Sequence, residues 1–300
     1  MTTPTTTPAP AIDNKVKQIV SNIRNLPTPP IVFHQIQKVL NDPLASANQV
    51  AAILSEDPAM SVKVLKLTNS AFYGLQREVE SVKQAVVVVG MEAIKNLVLS
   101  ASVLDMFKGE EYDQEFQEQF WRHSLATAFC GRIVARKLKT RGMVDPDSAF
   151  SAGLLHDIGK IIMATHLQED YAGVISARAE GSDKLDHDLE ESILGYHHAQ
   201  IGAILAEQWK LPSKLQESIA FHHHPQLAEG GEATPYIVHI ADFVSKKTFY
   251  EADDQARIGT LQPGVEEYMQ LDEAMIESYC EALREEYSKA ETFMKMAGLS

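Results

Sequence analysis

The stretch LLHDIGKIIMATH, from Leu154 to His166, sets His156 beside Asp157 inside an otherwise apolar run. A buried charge is costly unless it is paired or bound to a metal, so the doublet calls for a partner. Nine of the eleven histidines lie at or after position 156. His123 stands in FWRHSLATA, His197 and His198 in GYHHAQIGA, His222 to His224 in IAFHHHP, and His239 with Asp242 in HIADF. Imidazole binds transition metals through one nitrogen, and a carboxylate can bridge two ions. Neighbouring residues on a helix differ by about 100° around its axis, so a doublet reaches two points of one cavity. The expected metal set is His123, His156, Asp157, His198, His222, His223 and Asp242, with Asp157 bridging two ions. His34, His166, His187 and His239 are expected to be packing residues, His224 a cap, and only one of His197 and His198 need face inward.

These residues need elements to hold them, and helix signals dominate. Apolar residues recur at three- and four-residue spacing in AIDNKVKQIVSNIRNL, VFHQIQKVLND and SANQVAAILSED, with Ser46 as a capping candidate. PAMSVKVLKLTNSAFYG begins at Pro58, a good first-turn residue, and is read as running to Gly74. SVKQAVVVVG is valine-rich, but its helical neighbours favour a buried helix. A long helix is expected from about Phe116 to Lys139. The next, capped by Asp145 or Asp147, should carry the His-Asp doublet. Further helical patterns cover Ala172–Ala179, Leu189–Trp209, Pro212–His223 and Ile237–Thr248, and ADDQARIGTLQPG reads as a loop. No strand-helix alternation suggests a parallel sheet. The fold class is all-α.

Composition narrows the function classes. The chain has 300 residues, 45% hydrophobic and 23% charged, which is ordinary for a globular protein. A net charge of -14 and a pI near 5.2 disfavour nucleic acid and anionic membrane as partners. No apolar run is long enough to span a bilayer. MTTPTTTPAP reads as a disordered Thr/Pro tail rather than a secretory signal. Cys130 and Cys280 give no disulfide framework and suit a reducing cytoplasm.

LPTPP, ILSEDPAMSVKVLKLTNSAFYG, AVVVVGMEAIKNLVL, GLLHDIGK, HHAQIGAILAEQWKLP and IAFHHHP together resemble the HDOD family, within the HD superfamily of metal-dependent phosphohydrolases. The resemblance covers roughly Leu26 to Lys247. It implies an HD-superfamily-like helical fold with two subdomains, an N-terminal helical one at 12–110 and a metal-binding one at 111–250, flanked by the tail at 1–11 and by a helical extension at 251–300. HDOD proteins are regarded mainly as regulatory modules, many of which have lost their ligands. Here the ligand pattern is similar to that of the HD-GYP relatives, which hydrolyse cyclic di-GMP at an iron centre. Lys160 matches a lysine near the substrate phosphate there. The Gly-Tyr-Pro loop of those relatives is absent, replaced by HHHPQLAEGGEATP with Glu229 and Glu232. Gln119, beside Glu118, stands where they have an acidic ligand.

Two functions follow from the resemblance. One is a regulatory, non-catalytic module holding one or two divalent transition ions, iron foremost and nickel, manganese or zinc as alternatives, with a protein partner or a second copy of itself. The other is a metal-dependent phosphohydrolase acting on a nucleotide or cyclic dinucleotide, with Asp157 and Lys160 catalytic. The first is the preferred reading.

Overall fold

A computed structural model describes residues 14–23, 26–70, 73–106, 114–138, 144–229, 233–251 and 255–297. The expected tail at 1–11 lies outside them. Every regular element among the described residues is helical, as the periodicity predicts.

Six helices lead the chain: α1 (Asn14–Asn22), α2 (Ile31–Leu40), α3 (Ala47–Ser55), α4 (Pro58–Thr68), α5 (Val82–Val89) and α6 (Met91–Met106). Ser46 caps α3, its backbone N–H donating to Gln49 Oε1. Asp57 caps α4 by accepting from the Met60 N–H, with Pro58 at the first position. α4 ends at Thr68, short of Gly74: the Asn69 side chain bonds both backbone groups of Val79 and turns the chain instead. α5 is helical as expected but not buried throughout. Val82, Ala85 and Val86 face inward while Val87 and Val88 are exposed, because one face of this short helix meets α3 and α4.

The second half is built around α7 (Gln114–Leu138), which packs on α8 (Pro146–Leu155), α14 (Thr234–Phe249) and α17 (Glu273–Ala297). Between them come α9 (Ile158–His166), α10 (Gln168–Ala179), α11 (Asp186–Leu194), α12 (His198–Gln208) and α13 (Ser213–Phe221). Short α15 (Gln255–Ile258) and α16 (Val265–Met269) precede α17, so the stretch expected to be a loop contains a helical turn. α6 packs on α2 and α4 and also on α8, and one apolar core runs from Val16 to Leu283. Among the described residues, no single helix is long and apolar enough to cross a membrane.

Two breaks position the site. The His-Asp doublet does not lie within a helix. α8 stops at Leu155, His156 caps its end, and Asp157 precedes α9 with φ -98° and ψ 11°. Likewise 189–209 is two helices, parted at Gly195, whose φ of +76° suits glycine. Each break turns a histidine or aspartate off its helix face and into the interior. Gly159 then lets α9 and α12 approach: a Cβ there would collide with the His198 carbonyl.

Candidate metal centre

All seven predicted ligands converge. Asp157, His198, His222 and His223 form one group and His123, His156 and Asp242 another, the ligand atoms of each lying within 4.8 Å of one another. They come from α7, the α8–α9 junction, the first residue of α12, the end of α13 and the middle of α14. Asp157 faces both groups. Its Oδ1 lies 3.0 Å from His198 Nε2 and 3.5 Å from His222 Nε2, and its Oδ2 lies 3.4 Å from His156 Nε2 and 3.6 Å from His123 Nε2. Asp242 Oδ1 lies 3.0 Å from His123 Nε2.

The outer nitrogens show which atoms face inward. A carbonyl or carboxylate oxygen only accepts, so the ring nitrogen against it carries the proton. His156 Nδ1 donates to the Gly153 carbonyl at 2.7 Å, His222 Nδ1 to that of Ile219 at 3.0 Å, and His198 Nδ1 to Glu190 Oε2 at 2.6 Å. Glu190 also accepts the His198 backbone N–H. Each Nε2 is thus the free position, held as metal-binding histidines are held by an oriented partner.

Burial keeps three of these imidazoles neutral. It pushes His222 down to about 3, lowers His123, and lowers His223 well below the usual range, where His222 and His187 add to the effect. His198 differs. Burial opposes its charge, but Glu190 and Asp157 outweigh this and push it up to about 9.

The carboxylates share a pattern. Asp157 Oδ2 meets Lys160 Nζ at 2.8 Å, and Asp242 Oδ2 meets Lys246 Nζ at 2.8 Å. Their two Oδ1 atoms are buried and receive no hydrogen bond, although imidazole nitrogens stand 3.0 Å away. Burial alone would raise both acids. His156 and Lys160 outweigh it for Asp157, and Lys246 and His123 for Asp242, so both stay ionised well below the ordinary range. Buried carboxylate oxygens without a hydrogen bond, set among imidazoles whose Nδ1 protons are already committed elsewhere, form a set that a shared cation would satisfy. The donor set, rich in nitrogen, suits a transition ion rather than magnesium or calcium.

Lys160 is not presented to solvent. Its Nζ also lies 3.0 Å from Asp186 Oδ2, and Asp186 receives Arg178 at 2.7 Å. Burial would lower Lys160, yet Asp157 and Asp186 raise it well above the usual lysine range.

The residues set aside fall elsewhere. His34 packs edge-on to Phe33. His239 bonds the His222 carbonyl through Nδ1 and accepts the Gln262 N–H at Nε2, so it braces a ligand. His187 stacks on His223, and His197 precedes α12. Glu118 and Gln119 are both exposed, Glu118 pairing with Arg122. Glu229 is exposed, and Glu232 lies outside the described residues. Sequence reasoning missed Glu190, Asp186 and Lys246. Glu190 and Asp186 sit in the acidic run DHDLEES, which looks like any solvated helix face; their spacing to His198 and Lys160 was the only signal.

Comparison with known proteins identifies the family and the fold. The sequence profile of the HDOD domain matches residues 26–225. The chain belongs to the HDOD family. Among solved structures, this HDOD protein is similar to a candidate phosphohydrolase from Shewanella amazonensis SB2B, with a TM-score of 0.70 and 26% identity over 95% of this chain and 97% of that one. A candidate signal-transduction protein from Marinobacter aquaeolei VT8 shares the fold with a TM-score of 0.74 and 19% identity, over 96% of this chain and 65% of that one. An HDOD domain protein with unknown function from Geobacter sulfurreducens also shares it, at 0.67 and 21%, over 90% and 96%. An uncharacterized Treponema pallidum protein is 25% identical over 194 residues, 65% of this chain and 37% of that protein. The HDOD chain thus spans little more than a third of that relative.

Proposed function

We propose that this chain is a regulatory HDOD module whose buried centre holds one or two divalent transition ions, with iron foremost and nickel, manganese or zinc as alternatives. The observation that carries the regulatory reading is that the site is closed upon itself. Ligand side chains are between 0% and 12% exposed, and Lys160 and Lys246 each neutralise a carboxylate of the site. Productive phosphoryl transfer needs cations placed to orient phosphorus, and the cation best matched to that task is spent on Asp157 and Asp186.

A bound divalent ion supplies concentrated positive charge, and Lewis acidity toward any oxygen ligand. The residues do the rest. Asp157 bridges the two groups, Asp242 closes the second, and Glu190 and the Gly153 and Ile219 carbonyls fix the imidazoles. Charge balance then links metal occupancy to the α8–α9 junction and the ends of α12 and α13, a fitting basis for a sensory or structural role. Output passes to a protein partner or a second copy of the chain, as the acidic surface suits. The buried free thiols Cys130 and Cys280 fit a cytoplasmic setting. A boundary near residue 110, separating an N-terminal subdomain from the metal-binding one, suits the confinement of the ligands to α7 and beyond.

Phosphohydrolysis of a nucleotide or cyclic dinucleotide is the second reading, favoured by the complete seven-residue set and by the 26% identity to the Shewanella protein. The test is hydrolysis of cyclic di-GMP by reduced protein supplied with iron or manganese. The proposal expects turnover no faster than in Asp157→Ala. Metal-dependent turnover lost in that variant would promote the second reading.

A further inference from the structure

The centre is buried, and an ion must still reach it. Beside it stand imidazoles that the ligand set does not use. His187, His197 and His224 gather against His223, and exposure rises outward. His198 and His222 are fully buried, and His223 and His187 are each 7% exposed. His197 and His224 are half-buried, and Asp188, whose Oδ1 lies 3.5 Å from His187 Nε2, is more than half exposed.

Spacing gives this gradient chemical meaning. Two imidazoles bound to one ion through bonds of about 2.1 Å have ring centres roughly 5–6 Å apart. The His187 ring lies 6.1 Å from that of His197 and 5.9 Å from that of His224. The His197 ring lies 6.2 Å from that of His223 and 6.0 Å from that of His198. His197 therefore stands between an outer ring and two inner ligands, close enough for a change of rotamer to bring it to either. Its Nδ1 is buried without a hydrogen-bond partner.

We infer that His187, His197 and His224, with Asp188 at the mouth, form an outer loading site for a divalent transition ion, and that His197 passes the ion to His198 and His223. The inference rests on the metal-centre reading. A bare ion does not cross an apolar wall, whereas successive exchange of one imidazole for another keeps it coordinated throughout.

Uptake kinetics test it. Full-length protein stripped by a chelator is mixed with cobalt(II), and the rise of its visible absorption is followed beside final cobalt content. His197→Asn and His224→Gln should fill to the wild-type stoichiometry but on the order of tenfold more slowly, comparable to the effect of deleting other supports of a metal site. Chelator stripping should slow in parallel. If His197→Asn fails to fold, His224→Gln decides. Unchanged rates at unchanged content would overturn the loading site, and so would reduced final content, which would make these residues inner ligands. Wild-type protein that takes up no cobalt would instead bring down the metal-centre reading itself.

Discussion

The two halves of the molecule bury different things. Among the described residues up to the end of α6, the buried polar side chains are hydroxyls and one amide: Thr68, Ser70, Asn96, Ser100 and Ser102. Among the described residues, every buried carboxylate, imidazole, lysine and arginine lies between Arg132 and Lys246. One half is held by apolar packing with its buried serine hydroxyls satisfied locally, as Ser100 bonds the Asn96 carbonyl. The other keeps charges in its interior, where each needs a compensating partner. The difference teaches where failure should be mechanical and where it should be electrostatic.

The sharpest break of that contrast is Asp157→Ala. It removes the carboxylate that faces both groups, so elemental analysis should find transition metal at baseline. His224→Ala should retain the wild-type content at equilibrium; equal loss in both variants would misplace the inner set. Next is Lys160→Met. Removing one partner from a buried ion pair costs about 3–5 kcal/mol, and here it leaves Asp157 with one cation fewer. Chemical denaturation should show the larger loss in chelator-stripped protein, because a bound ion also neutralises Asp157. The same loss with and without metal would show that ion and lysine do not share that carboxylate.

Ile94→Ala probes the other half. Ile94 is fully buried on α6, and such truncations cost about 2–5 kcal/mol. The metal content of the folded variant should not change, and a fall would show that the halves are coupled more tightly than their chemistry suggests. The smallest effect is at Glu190→Gln. It weakens the acceptor that orients His198, and partners of this kind contribute about 10–100-fold to metal affinity. A competition titration against a chelator reads the shift directly.

Much of this was legible in the sequence, and the losses have physical causes. Helix periodicity and the caps at Ser46 and Asp145 follow from local rules, and the seven ligands stood out because imidazole and carboxylate shared apolar surroundings. The break at His156–Asp157 was not legible. Pro146 to His166 is apolar enough to read as one helix, and only the tertiary demand to aim Asp157 inward interrupts it. Gly195 did signal the break before His198, but the periodic pattern on either side hid it. Lys246 and Glu190 were missed because a buried, paired charge and a solvated one look alike in a string of letters. The commitment of Lys160 to two carboxylates was missed for the same reason, as Asp186 lies 26 residues along the chain.

The account stands most directly on the ion itself. Elemental analysis of protein purified without a chelating tag is the decisive measurement. Two groups of ligands, joined by Asp157, predict about one to two transition-metal ions per chain. Metal near zero in wild-type protein, after incubation with iron, manganese, nickel and zinc in turn under reducing conditions, would contradict the account at its centre.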